Sequence, residues 1–291
     1  MNTRIITHAG SAHYDEFAAC ALITASYPDD KFRILRRDPT EEELSDPLTW
    51  VVDIGRELTP AKRNFDHHQY RGGKPAFQLV AEFLGCWDIL LAAYPSMGLK
   101  ATLDTQGPAA AAASIMVDTD QLMATISPLE MAVVDMFGEA EEVSPYVGWS
   151  VRRIGKTWLD TAMALRERMV ELERTAKVEQ IPGHAGFCLI STARGEDPSF
   201  GLAEFRKEWN YDNRGTGRVI VMSVSPERVR NAGEDAGTTL YRYDDATGVD
   251  FAYLAGKPGV KFSHKGGFLA ILTRIVEGVT PADIGRYVKG E

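Results

Sequence analysis

The stretch Arg4-Ile5-Ile6-Thr7-His8-Ala9-Gly10-Ser11-Ala12-His13-Tyr14-Asp15-Glu16-Phe17-Ala18-Ala19-Cys20 decides the fold. Residues 4–7 are a short β-like run that ends at His8. Residues 15–27, DEFAACALITASY, read as a helix that Tyr27-Pro28 stops. Two more β-like runs follow, at residues 31–35 and at Trp50-Val51-Val52-Asp53, and residues 77–94 are apolar and helix-permissive. Short strands alternating with helices predict a parallel α/β sheet.

Further along, Gly107-Pro108 and five alanines within residues 106–120 fit either a packed helix or a mobile flap. Ser127-Pro128-Leu129-Glu130 has the residues of a helix start, with Ser as cap, Pro in the first turn and Glu after it. Residues 156–177 carry Trp158, Ala162, Leu165, Met169 and Leu172 at steps of four and three, which is one helix face. Beyond Gln180-Ile181-Pro182-Gly183 the pattern changes. Residues 186–192 and 218–223 are β-like, and residues 238–243 and 249–254 suggest a hairpin. Gly266-Gly267 then leads into an apolar run, residues 268–276, expected as a helix. The reading is two domains: an α/β domain over residues 1–155, a connecting helix over 156–180, and a smaller α+β domain over 181–291.

Composition sets the class. The 291 residues are 44% apolar and 25% charged, ordinary globular values. Net charge is −9, but residues 1–150 hold 11 Lys/Arg against 22 Asp/Glu, whereas residues 151–291 hold 21 against 19. The acidic half suits cations and grips a polyanion poorly; the other half is the better place for phosphates. Cys20, Cys86 and Cys188 form no CxxC pair, which excludes a zinc ribbon and suggests a reducing compartment. With no run of about 18 apolar residues and no apolar signal region, the expectation is a soluble cytoplasmic protein without a membrane partner. Neither a P-loop nor a strand–GxGxxG–helix fingerprint is present, which sets aside P-loop ATPases and Rossmann dehydrogenases.

Four of the six histidines fall within residues 8–68, in His8…His13-Tyr14-Asp15-Glu16 and in Asp66-His67-His68, with Asp53 closing a strand between them. A lone histidine is usually structural, but two His/Asp clusters at strand ends point to a shared crevice beyond a parallel sheet. Mixed imidazole and carboxylate donors suit Mn²⁺ or Mg²⁺, with Zn²⁺ open. There are more donors than one ion needs, so two ions are expected. Cys20, inside an apolar helix, reads as core, and Glu16 fits either a helix start or a hydrogen-bonding role. Arg36-Arg37-Asp38 could face the crevice, but fits an exposed charged strand end better.

In order and spacing these segments resemble the DHH phosphoesterase superfamily, and within it the MYG branch of exonucleases. Thr7-His8-Ala9-Gly10-Ser11-Ala12-His13-Tyr14-Asp15-Glu16 is similar to that branch's THxGxxHxDE opening, Val51-Val52-Asp53-Ile54-Gly55 to its VVD-G strand, and Phe65-Asp66-His67-His68-Gln69 to its FDHHQ signature. The resemblance implies that His8 and His13 hold one ion, that Asp15 and His67 hold a second, and that Asp53 bridges them. It implies a further Asp from a later helix, with Asp135 the candidate and Asp104, Asp118 and Asp120 competing. His68 would face the substrate phosphate and Asp66 would orient an imidazole. Near the C-terminus, Phe262-Ser263-His264-Lys265-Gly266-Gly267-Phe268 resembles the branch's FxHxxGF segment. His264, Lys265, Gly266 and Gly267 would there bind a phosphate, as glycine amides before a helix can, across an interdomain cleft.

The activity so implied is a metal-dependent phosphodiesterase, a 3′–5′ exonuclease on RNA or short oligonucleotides, using a metal-bridging hydroxide. Trp209, Tyr211, Tyr241 and Tyr243 are available to stack bases, although core packing is the expected job of most of them. A phosphatase acting on pyrophosphate or a nucleotide is the alternative, and a catalytically silent metal-stabilised binding protein the third reading. A homodimer is left open.

Overall fold

The computed structural model describes residues 2–70, 72–181, 183–192, 199–227, 237–244 and 249–273. The chain divides into two compact units at residues 164/165.

The first unit opens with β1 (Asn2–Thr7), α1 (Tyr14–Ser26), β2 (Lys31–Arg36), α2 (Glu41–Ser45), β3 (Thr49–Val52), β4 (Leu58–Thr59) and β5 (Asn64–Phe65). There follow α3 (Ala76–Phe83), α4 (Trp87–Ala93), α5 (Ser96–Gln106), α6 (Pro108–Ser114), α7 (Thr119–Ala124), α8 (Pro128–Gly138) and α9 (Pro145–Thr175). The strands form one sheet in the order β2-β1-β3-β5-β4. All neighbours are parallel except β4 and β5. Ile6 pairs with Val51 and Val52 with Phe65, so β1, β3 and β5 end side by side.

Helix α1 is buried from Asp15 to Thr24. Its sequence has no polar face because the helix has no solvent face. Ile5, Trp50, Val52 and Phe65 of the sheet meet Phe17, Leu22, Phe77, Leu90 and Phe137 of the helices in one core. Each such side chain contributes about 1.5–3 kcal/mol when fully buried.

The alanine-rich stretch is the packed helix α6, with Ala111 and Ala112 buried. Helix α9 begins eleven residues before the expected 156, at a second Ser-Pro start, Ser144-Pro145, where the Ser144 hydroxyl accepts from Val147 N–H at 3.3 Å. Gly148 and Gly155 lie inside it. A Cβ on Gly155 would sit 2.0 Å from the Ala21 carbonyl of α1, so glycine there lets the two helices touch backbone to backbone. The boundary between the units, at residues 164/165, falls inside this helix. Trp158 and Ala162 pack in the first core, and Met169 and Leu172 in a cluster of the second unit.

The second unit contains β6 (Lys177–Gln180), β7 (Phe187–Ser191), α10 (Leu202–Asp212), β8 (Val219–Pro226), β9 (Thr238–Arg242), β10 (Val260–Ser263) and β11 (Leu269–Leu272). Its sheet runs β10-β11-β9-β8-β7-β6, antiparallel except between β7 and β8.

Two expectations fail here. Residues 238–243 do not pair with 249–254: β9 lies between β8 and β11, while Val249, Phe251 and Leu254 cover the core beneath the sheet. The apolar run after Gly266-Gly267 is not a helix where it is described but strand β11, and residues 274–276 lie outside the described residues. Gly266 and Gly267 belong to the β10–β11 turn. Gly267 has φ +68°, and a Cβ there would strike Asp250 Oδ1 at 2.0 Å. Among the described residues, no single helix is long and apolar enough to cross a membrane.

Candidate metal centre

His8 follows β1, Asp53 follows β3, and Asp66-His67-His68 follow β5. Three adjacent parallel strands therefore deliver their next residues to one edge of the sheet, where α/β folds place their sites.

Asp53 is the meeting point. Its carboxylate is 4% exposed. Oδ2 lies 3.5 Å from His8 Nε2, and Oδ1 lies 3.3 Å from His67 Nε2 and 3.6 Å from His68 Nδ1. Its backbone has φ +58°, a left-handed conformation uncommon outside glycine that Asp and Asn tolerate best. The Asp53 N–H donates to the Phe65 carbonyl at 2.9 Å, which holds this bend against β5.

Asp15 and Glu16 enter from the first turn of α1. Asp15 is buried and accepts the Ala76 and Phe77 N–H groups at 2.8 and 2.6 Å. Those amides open α3, where first-turn donors have no partner within the helix. Asp15 Oδ2 also lies 3.4 Å from His67 Nε2. Glu16 Oε1 accepts from the His13 N–H at 2.8 Å and lies 3.1 Å from His8 Nε2.

Asp66 orients rather than shares. Its Oδ2 accepts from the Arg56 N–H at 2.6 Å, and its Oδ1 lies 2.7 Å from His68 Nδ1. His68 itself is 59% exposed, so its ring is fixed by Asp66 yet open to solvent. A cavity of about 620 Å³ runs past His8, His13, Asp53, Asp66 and His68. A second, of about 650 Å³, runs from His13, Asp15 and Asp104 to Lys100, Glu130 and Asp135.

Charge is compressed here. Burial pushes the Asp15 carboxyl up to about 7, against the pull of His67. Burial also raises Asp104. Burial would raise Asp53 too, but hydrogen bonding to His67 and His8 outweighs it and holds Asp53 below its ordinary value. Hydrogen bonding to Asp53 and Glu16 raises His8 to about 10, and hydrogen bonding to Asp15 and Asp53 raises His67 to about 10.

The donors fall into three groups that could each hold a cation: His8, His13, Glu16 and Asp53; Asp53, His67 and His68; and Asp15, His67 and Asp104. The residues fit such an ion. Among the described residues Glu16 Oε2 is a buried acceptor without a hydrogen-bond donor, an arrangement that costs about 1–3 kcal/mol unless something compensates.

His8, His13, Asp15, Asp53 and His67 thus converge, with His68 and Asp66 beside them. Asp135 does not join them. It is exposed on α8 at the wall of the second cavity, and Asp104 of α5 stands 3.4 Å from His67 instead. Asp104 was one of several acidic candidates, and nothing in its flanking Leu103 and Thr105 marks it. Glu16 joins the first group, which its position in a helix start had left undecided. Arg36 is not an exposed strand end but is 2% exposed, beneath Glu16. His264 and Lys265 are exposed in the second unit. The Gly266 and Gly267 N–H groups are engaged by His264 Nδ1 and the His264 carbonyl, at 3.0 and 2.9 Å, so this turn offers no helix N-terminus to an anion. Trp209 and Tyr243 pack against the core of the second unit, whereas Tyr211 and Tyr241 are 66% and 40% exposed.

Comparison with known proteins bears on the same segment. Residues 4–80 match the family model MYG1_exonuc, described as "Uncharacterised protein family (UPF0160)". A MYG1 protein of Chlamydia muridarum is 36% identical over 80 residues, which is 27% of this chain and 27% of that protein. MYG1 exonucleases of Rattus norvegicus and Homo sapiens are 43% and 41% identical over 67 and 68 residues, 23% of this chain and 17% of theirs. A solved DHH domain, described as a member of the s1p family of ribosomal proteins, aligns loosely: 14% identity, TM-score 0.31, 93% of this chain and 82% of that one. The match to the curated relatives spans about a quarter of their length or less.

Proposed function

We propose that this chain, whose residues 4–80 carry the signature of the MYG branch of the DHH superfamily, is a metal-dependent phosphodiesterase, and specifically a 3′–5′ exonuclease acting on RNA or short oligonucleotides. One observation carries the reading: three donor groups overlap at Asp53 and His67 on the carboxyl edge of a parallel sheet.

The reading takes two ions, to both of which Asp53 would be a donor. His8, His13 and Glu16 would complete one position, and Asp15, His67 and Asp104 the other. The mixed imidazole and carboxylate set favours Mn²⁺, with Mg²⁺ the alternative. Divalent ions there would make water acidic enough to attack at neutral pH and would offset the charge on phosphorus. The chain's own residues do the rest. Asp66 fixes the His68 ring, and His68 holds a phosphate oxygen at the solvent side. Asp15, anchored by α3, keeps His67 in place.

Purified protein assayed with Mn²⁺, Mg²⁺ or EDTA on labelled RNA, DNA and dinucleotides tests this. Metal-dependent release of nucleotides from the 3′ end of RNA is expected. Turnover of pyrophosphate or mononucleotides without oligonucleotide cleavage would move the assignment to a small-substrate phosphatase. Hydrolysis that survives EDTA would overturn the metal reading.

A further inference from the structure

Beneath His8 lies a buried pair that a metal ligand set alone does not require. Arg36, the last residue of β2, is 2% exposed. Its Nη1 donates to the Gly138 carbonyl at 2.7 Å, and its guanidinium lies 5.5 Å from the Phe137 ring centre. Its Nη2 stands 3.6 Å from Glu16 Oε1, within ion-pair range but beyond a hydrogen bond. Among the described residues, Arg36 Nε and Nη2 and Glu16 Oε2 are all buried without a hydrogen-bond partner. An ion pair kept only for stability would be expected to close these bonds, since buried charges are retained when paired and fully hydrogen-bonded.

We propose that Arg36 is a positioning residue of the metal centre, acting through Glu16. The guanidinium faces the Glu16 carboxylate in a buried setting, on the side away from solvent. Glu16 Oε1 is occupied by the His13 N–H and by His8. Oε2 would then be the oxygen left for an ion held with His8, His13 and Asp53. Through Gly138, Arg36 also ties the end of α8 to this side of the site. The inference rests on the metal-dependent reading above.

The asymmetry gives the test. Arg36 touches Glu16, of the first donor group, and has no such contact with Asp15, His67 or Asp104 among the described residues. Mn²⁺ titrations of the full chain, followed by the paramagnetic resonance signal of free Mn²⁺, read the two ions separately. Arg36→Met and Arg36→Lys should weaken one ion by about ten- to a hundredfold, the usual effect of removing a group that orients a metal ligand. The other ion should change by less than about threefold. Glu16→Gln, which keeps the shape and both Oε1 contacts, should weaken the same ion. If Arg36→Met does not fold, Arg36→Lys and Glu16→Gln still decide the matter. Unchanged Mn²⁺ affinities with only a lowered Tm in EDTA would make the pair structural and overturn the proposal, as would equal weakening of both ions. Failure of the metal reading itself looks different: the unsubstituted protein would bind no Mn²⁺.

Discussion

The backbone N–H of Phe77 donates a 2.6 Å hydrogen bond to Oδ1 of Asp15, and this bond makes a proposed metal ligand the starting point of α3. Asp15 therefore serves fold and site together, and substitution should report on both. Asp15→Ala strands two buried amides and should lower unfolding free energy in EDTA by about 1–3 kcal/mol, as well as abolish metal-dependent hydrolysis. Asp104→Ala, which strands no backbone amide among the described hydrogen bonds, should impair Mn²⁺ binding with little change in urea midpoint. A stable Asp15→Ala protein would show that α3 starts without this bond.

Asp53 sits where all the donor groups but one meet and adopts a left-handed backbone. Asparagine tolerates that conformation and keeps the side-chain shape. Asp53→Asn should thus retain the far-UV circular dichroism of the parent while losing more than about a hundredfold in hydrolysis, beyond the effect of removing an outer partner. Retained activity would move the bridging role elsewhere.

The two raised imidazoles give the metal-free protein a definite pH response. His8 and His67 titrate near 10 when folded, above the ordinary 6.5. A raised folded-state value contributes stability that is complete below about 6.5 and is lost as pH rises through about 10. Asp15, raised to about 7, acts in the same direction, since its ionisation in the folded state is disfavoured. In EDTA, Tm should fall between about pH 6 and pH 9. Divalent metal needs neutral imidazoles and releases protons on binding, so its affinity should climb over the same interval. Calorimetry in buffers of different ionisation enthalpy reads the released protons directly. A flat metal-free Tm across this range would contradict the pairing of His8 and His67 with the carboxylates.

At the acid end a different group responds. Glu43 caps α2, accepts from Arg37 at 2.8 and 2.9 Å, and is held down to about 2 by that arginine. Its stabilisation is present above the ordinary value of 4.5 and is lost as pH falls toward 2. Glu43→Gln should unfold at a higher pH than the parent in an acid titration monitored by tryptophan fluorescence. Coincident acid transitions would mean that Glu43 is not paired in solution.

Gly155 offers a packing test far from the chemistry. Alanine there places a methyl against the Ala21 carbonyl and should cost about 1–3 kcal/mol, typical of overpacking. Guanidinium unfolding measures it, and an unchanged midpoint would mean that α9 can move off α1.

The parallel sheet and its ligands were legible because strand ends coincide with His8, Asp53 and His67, three chemically distinctive residues in a short span. Asp104 was not singled out because a helix interior offers no comparable punctuation: its only mark is that α5 brings it to His67. Arg36 fitted a solvated strand end better than the crevice because charge there usually is solvated; in the fold Phe137 and Gly138 of α8 pack against it. In the second unit the errors have one cause. Short apolar runs such as Leu269-Ala270-Ile271-Leu272 fit strand and helix alike, and strand partners such as β8 and β11 for β9 are set by tertiary pairing.

The ends of β1, β3 and β5 lie in neighbouring positions, about 4.8 Å apart as in any sheet, so the spacing of the donors is inherited from main-chain pitch. Substitutions behind the site, at Ile5, Trp50 or Phe65, can drift in size so long as the volume stays filled. Changes of length cannot. Removing one residue from β3 turns every following side chain to the opposite face and withdraws Asp53 from His8 and His67 at once. A lineage carrying this sheet should accordingly accumulate replacements in its strands while excluding insertions and deletions from them.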